Sequence, residues 1–99
     1  MRIEVSAKHM ELTDAIREYA DQKAAKLPRY YDGVQEIEVV FEKNGRGEFM
    51  VELRVDSEKH DTFVAKQSGL DVYECLDQSV DKMARQLTDF KEKLKNSKR

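Results

Sequence analysis

From Val72 to Leu94 the apolar residues Val72, Leu76, Val80, Met83, Leu87, Phe90 and Leu94 recur at intervals of 4, 4, 3, 4, 3 and 4. Each step returns to one face of an α-helix, and the pattern fits no strand, whose faces alternate with a period of two. It predicts one amphipathic helix of about six turns whose apolar stripe must be covered by other elements. Asp71 stands at the N-cap position and Glu74 follows three residues later, a capping-box arrangement.

The covering elements are legible upstream. Ile3, Val5 and Ala7 alternate with Glu4, Ser6 and Lys8, and Ile37, Val39 and Phe41 alternate with Glu38, Val40 and Glu42. Phe49, Val51, Leu53 and Val55 alternate with Glu48, Met50, Glu52 and Arg54. Period two means half-buried strands. A fourth strand near 61–67 turns Phe63 and Ala65 inward, and Ser68-Gly69-Leu70 leads on to the long helix. Lys43-Asn44-Gly45-Arg46-Gly47 reads as a hairpin loop. Behind Thr13 as N-cap, with Asp14 in the first turn, Ile16, Ala20, Ala24 and Leu27 follow a helical face, and Pro28 ends that helix nearby. The resulting order, β-α-β-β-β-α, is an α+β fold: one four-stranded mixed sheet, its first two strands parallel, with both helices packed on one face.

A chain of 99 residues holds one domain. We assign it to residues 1–95, with 96–99 as a short basic tail. No apolar run approaches the ~18–20 residues of a membrane span, and the N-terminus shows no apolar leader, so a cytoplasmic placement without a membrane partner is expected. The single cysteine, Cys75, lies beside the helical stripe and reads as a small buried hydrophobe. His9 and His60 read as loop histidines without a ligand constellation. There is no G-x-S-x-G, no phosphate-cradling glycine loop and no H-E-x-x-H, so no catalytic residue, metal, cofactor or small-molecule substrate is expected.

The net charge of −2 conceals a division. Residues 82–99 hold seven basic residues against two acids, a local +5, leaving −7 for residues 1–81. Lys82, Arg85 and Lys93, with Gln78 and Gln86 among them, fall on one flank of the long helix, while Glu74, Asp77 and Asp81 gather on the adjoining one. Lys23, Lys26 and Arg29 form a second basic group near the end of the first helix, with no acid between them. With both helices on one side of the sheet, the two groups are expected to share a surface suited to polyphosphate. The other side is expected to be an acidic sheet face of Glu4, Glu38, Glu42, Glu48 and Glu52, with Val40, Met50 and Val64 as a small apolar strip. Phe41, Phe49 and Phe63 fall inward, so bases are not expected to stack on the open sheet. Beside a ribosome-contacting protein, two readings stay open: a stand-alone double-stranded-RNA-binding module, and a protein-interaction domain using the acidic face.

The segment SAKHMELTDAIREYADQKAAKL followed by RYYD resembles the opening of the ribosome hibernation-promoting factors and the related ribosome-associated inhibitor. DVYECLDQSVDKMARQL is similar to that family's second helix, with Tyr73, Asp77, Lys82, Arg85, Gln86 and Leu87 in pattern. The resemblance implies a non-enzymatic factor that binds the small ribosomal subunit at the decoding channel. It would contact rRNA there and block mRNA and tRNA, silencing translation under stress or in stationary phase. It implies rRNA contacts at Lys23, Lys26, Arg29, Lys82 and Arg85, with Lys8 and His9 in the matched loop-entry motif. Gln86 and Lys93 join them from the basic flank. Two departures stand out: Asp89 interrupts the ridge, and Pro28 bears on the placement of Arg29. Ending at Arg99 without a dimerisation domain or acidic tail, the chain resembles the short form, for which ribosome pairing would need another, dimerising factor.

Overall fold

The computed structural model describes residues 1–96, and its element order is the one the periodicities imply. Strand β1 (Arg2–Lys8) is followed by helix α1 (Asp14–Ala24), a 3-10 turn (Leu27–Arg29), strands β2 (Val34–Lys43), β3 (Phe49–Ser57) and β4 (His60–Gly69), and helix α2 (Val72–Asn96). The four strands lie in the order β1-β2-β3-β4, with β1 parallel to β2 and the other pairs antiparallel. The register aligns the inward rows Ile3, Ile37, Val55 and Phe63, and Val5, Val39, Leu53 and Ala65. Both helices bury their stripes against this face in one core: Ala20 and Ala24 from α1, and Leu76, Met83 and Leu87 from α2, are 0–1% exposed.

Local chemistry explains the boundaries. Thr13 caps α1 by accepting a hydrogen bond from the Ile16 N–H, and Asp71 Oδ1 caps α2 by accepting from the N–H groups of Tyr73 and Glu74 at 2.9 and 3.4 Å. The reciprocal half of the expected capping box is replaced: the Glu74 carboxylate accepts from Gln78 Nε2, one turn on, at 3.1 Å. Helix α1 stops at Ala24, short of Leu27, because its last turn tightens. Lys26 N–H donates to the Lys23 carbonyl three residues back, and Pro28, which has no N–H, sits in a short 3-10 turn. In the β2–β3 loop, Asn44 Oδ1 accepts from the N–H groups of Arg46 and Glu48 at 2.8 and 3.0 Å, and Gly47 supplies φ +82°. Lys43 therefore still belongs to β2, and Glu48 belongs to the loop rather than to a strand.

Strand β4 is longer than the expected 61–67: it includes Ser68 and Gly69 at one end and His60 at the other. His60 is thus a strand residue rather than a loop histidine, its ring stacked on Phe63 at 3.8 Å and met edge-on by Phe90 at 4.6 Å. Cys75 is buried, as its place beside the stripe implied, and burial pushes its thiol up from the ordinary range. Asn96 closes α2, and the remainder of the expected basic tail, 97–99, lies outside the described residues. Among the described residues, no helix is long and apolar enough to cross a membrane.

Candidate nucleic-acid interface

The open face of the sheet is less acidic than alternation alone implied, because cations interleave with its carboxylates. Arg54 lies between Glu38 at 3.7 Å and Glu52 at 3.1 Å, Lys66 pairs with Glu52 at 3.7 Å, and Arg2 reaches Glu36 at 3.6 Å and pairs with Glu4. The expected apolar strip does not form. Val40 pairs in register with Glu52, Met50 with Glu42 and Ser68, and Val64 with Arg54, so charged residues separate Val64 from the other two.

The helical side is built differently. Lys26 caps the 3-10 turn and Arg29 ends it, so the basic group foreseen at the end of α1 is divided, with Lys23 alone on the helix. In 3-10 geometry residues three apart eclipse one another, which sets Lys26 and Arg29 on one side, both exposed. Pro28, at the start of that turn, is part of what places Arg29 there. Arg85 and Lys93 are exposed on α2, and neither has an ion-pair partner among the described residues.

Two of the expected contact residues are also committed within the fold. Lys82 Nζ donates to the Lys66 carbonyl at 3.1 Å and Gln86 Nε2 to the Val64 carbonyl at 3.0 Å, so both lie over the outer edge of β4. Lys23 is held on the opposite flank of α2. Its ammonium lies 3.5 Å from Asp77 Oδ1 and 5.5 Å from the centre of the Tyr19 ring, and the Asp77 carboxylate holds its pKa above the ordinary lysine value. Tyr19 Oη donates to the same Asp77 oxygen at 2.7 Å; that hydrogen bond first, then burial, raises the phenol's pKa.

The two basic groups therefore share the helical side but not a continuous patch. Lys82, Gln86 and Lys93 follow the β4 flank of α2, with Asp89 among them beside His60 and Phe90. Lys23, on α1, faces the other flank of α2 at Asp77. At 100° per residue, the crest between carries Glu74, Asp81, Arg85 and Glu92. Lys8 and His9 stand apart from both, at the end of β1 on the far edge of the sheet, where His9 turns the chain with φ +58°. What periodicity missed is the Tyr19–Asp77–Lys23 contact. Its signal lay in two pairs at helical i, i+4 spacing, Tyr19 with Lys23 and Tyr73 with Asp77. No group of three or more His, Cys, Asp or Glu among the described residues is placed to hold a metal ion.

The family described as Sigma 54 modulation protein / S30EA ribosomal protein matches residues 3–95. A ribosome hibernation promoting factor from Escherichia coli (strain K12) is 34% identical over 105 aligned positions, covering 96% of this chain and 98% of its own. One of the same name from Azotobacter vinelandii is 27% identical over 94% of this chain and 85% of its own. Among solved structures, the Protein Y N-terminal domain of Thermus thermophilus superimposes with a TM-score of 0.80 at 30% identity, covering 91% of this chain and 99% of that one. A ribosomal subunit interface protein from Coxiella burnetii also gives 0.80, at 24% identity over 93% and 99% of the two chains. That second likeness speaks to the fold alone.

Proposed function

We propose a function on one premise: the chain belongs to the Sigma 54 modulation protein / S30EA ribosomal protein family, whose relatives along its whole length include ribosome hibernation promoting factors. It acts as a ribosome hibernation factor. It binds the small ribosomal subunit at the decoding channel through rRNA, excludes mRNA and tRNA by occupancy, and silences translation under stress or in stationary phase. No bond is made or broken, and release needs only a factor that displaces it. Pairing of ribosomes, where it occurs, is the work of a second, dimerising factor.

The observation that carries this reading is the contrast between the molecule's two sides. On the sheet face Arg2, Arg54 and Lys66 already neutralise carboxylates, whereas Lys26, Arg29, Arg85 and Lys93 on the helical side have no such partner among the described residues. A phosphate backbone meets uncommitted charge there, and release of its counterions favours association. The same contrast disfavours docking through the sheet face, which lacks both a strong field and a continuous apolar strip.

The test is co-sedimentation of the chain with purified small subunits at low and physiological salt, with mRNA plus initiator tRNA as competitor. Binding that weakens with salt and is lost to the competitor is expected. Failure to bind at either salt would overturn the reading, and equal affinity for a plain RNA duplex would favour a stand-alone duplex-binding module.

A further inference from the structure

We propose that Tyr73 is a stacking site for an unpaired nucleobase, with the Lys23 ammonium, held against Tyr19 and Asp77 in the same cluster, for the adjoining phosphate. The inference rests on the RNA-binding reading of the helical side and names a contact there that charge alone does not provide.

Tyr73 lies in the first turn of α2 with 40% of its surface exposed, next to the groove between the two helices. Its ring is braced. Tyr19 meets it edge-on, with centroids 5.0 Å apart and planes at 85°, and Tyr19 is itself fixed by the 2.7 Å hydrogen bond to Asp77. An edge-to-face contact covers no more than one face of a ring, and the 40% exposure of Tyr73 supplies the surface for a ligand. Lys23, one turn beyond Tyr19 on α1, brings its ammonium to the same cluster, 5.5 Å from the Tyr19 centroid and 3.5 Å from Asp77.

An exposed aromatic face beside a cation is the combination that holds single-stranded nucleic acid: the π-face takes any base, and the cation takes the phosphate. The sheet has nothing equivalent, since Phe41 and Phe63 are buried and Phe49 packs against the core. Stacking, absent from the sheet as its alternation implied, is thus available on the helical side. The pairing of Lys23 with Asp77 does not remove the cation from use. Both side chains remain partly exposed, 34% and 43%, and an exposed ion pair is weak enough to open to a phosphate.

Binding is read from the anisotropy of a fluorescein-labelled oligonucleotide, which serves the parent and the variants lacking Tyr73 alike; with four tyrosines and no tryptophan in the chain, quenching of tyrosine emission adds a stacking signal in the parent. The full chain is titrated with a short single-stranded oligoadenylate, alongside Tyr73→Leu, Tyr73→Phe and Lys23→Ala. Tyr73→Leu is expected to bind about tenfold more weakly with an unchanged salt slope, and Tyr73→Phe to stay close to the parent, which also guards against a folding defect. Lys23→Ala is expected to flatten the slope. Equal affinity of Tyr73→Leu and the parent, or no binding of the oligonucleotide by the parent, overturns the proposal. Small-subunit sedimentation separates the two ideas. A chain that sediments normally as Tyr73→Leu and shows no oligonucleotide effect loses the stacking site and keeps the hibernation reading. One that binds the oligonucleotide through Tyr73 but fails to sediment does the reverse.

Discussion

Gln86 Nε2 donates to the main-chain carbonyl of Val64 at 3.0 Å, joining the middle of α2 to the outer edge of β4. Lys82, one turn earlier, does the same to Lys66 at 3.1 Å. An edge strand offers unpaired backbone groups to any passing strand, and these two side chains occupy two of them. Gln86→Ala should therefore cost about 0.5–1.5 kcal/mol in urea unfolding, with no change in the salt slope of subunit binding. Lys82→Ala should cost a similar amount and also flatten that slope by roughly one unit. Identical slopes for the two variants would remove Lys82 from the rRNA contact.

The contrast between the two faces gives a second prediction. Arg85→Ala, which removes an unpaired cation from the crest of α2, should weaken subunit binding and lower the log–log salt slope by about one. Lys66→Ala removes a cation already paired with Glu52 on the sheet face and should leave the slope unchanged. Filter binding across a salt series distinguishes them.

Gly33 lies under the Tyr31 ring, and a Cβ there would overlap that ring directly. Tyr31 cannot swing aside freely: it is 5% exposed, its hydroxyl donates to the Glu58 carbonyl at 2.9 Å, and Phe90 meets it edge-on at 5.4 Å. Gly33→Ala should destabilise the fold by about 1–3 kcal/mol. Gly45→Ala, where nothing lies within 4 Å of the added Cβ, should stay within about 0.5 kcal/mol of the parent. A shared urea midpoint for the two variants would rule out the Tyr31 overlap.

Stability should fall in alkali. Burial first, then Glu74 and Asp71, raises the Cys75 thiol, and burial first, then Glu58 and Asp32, raises the Tyr31 phenol. Each group ionises in the unfolded chain at a lower pH than in the folded one, so the unfolded state binds fewer protons between the two values and stability drops as pH rises through that window. The Lys23 ammonium adds to the same trend, since its raised folded value gives stability that is lost as pH rises through it. Cys75→Ala should shallow the alkaline decline at its thiol end, and disulfide-exchange reagents should modify Cys75 slowly in the native protein. Rapid native-state modification would contradict the burial.

Burial explains what was legible in the residues. Leu76, Met83 and Leu87 announce α2 because a helix in water must hide one stripe, and Val39, Leu53 and Ala65 announce strands for the same reason at period two. Hydrogen-bond details between distant elements carry no such period. Nothing in the neighbourhood of Lys82 or Gln86 marks the β4 carbonyls they reach, and the Tyr19–Asp77 bond joins residues on separate helices. Val40, Met50 and Val64 looked contiguous because alternation fixes a face but not the register that sets neighbours along it. The early end of α1 reflects competition within a single turn. Pro28 has no N–H to give, and the chain meets that lack by tightening to a 3-10 bond at Lys26.

The parallel pairing of β1 with β2 sets an order of assembly. Strands β2, β3 and β4 are joined by tight turns and can zip from their hairpins, whereas Ile3 meets Ile37 only after α1 has carried the chain back across the sheet. β1 is also an edge strand whose inward residues Ile3, Val5 and Ala7 are only half-buried. Its amides should be the first of the sheet to exchange with deuterated solvent, opening well below the free energy of global unfolding while the hairpin strands and α2 stay protected. Lys8 and His9, at the end of this strand, would then ride on the most easily detached part of the sheet, and Lys82 and Gln86 on its most firmly closed edge.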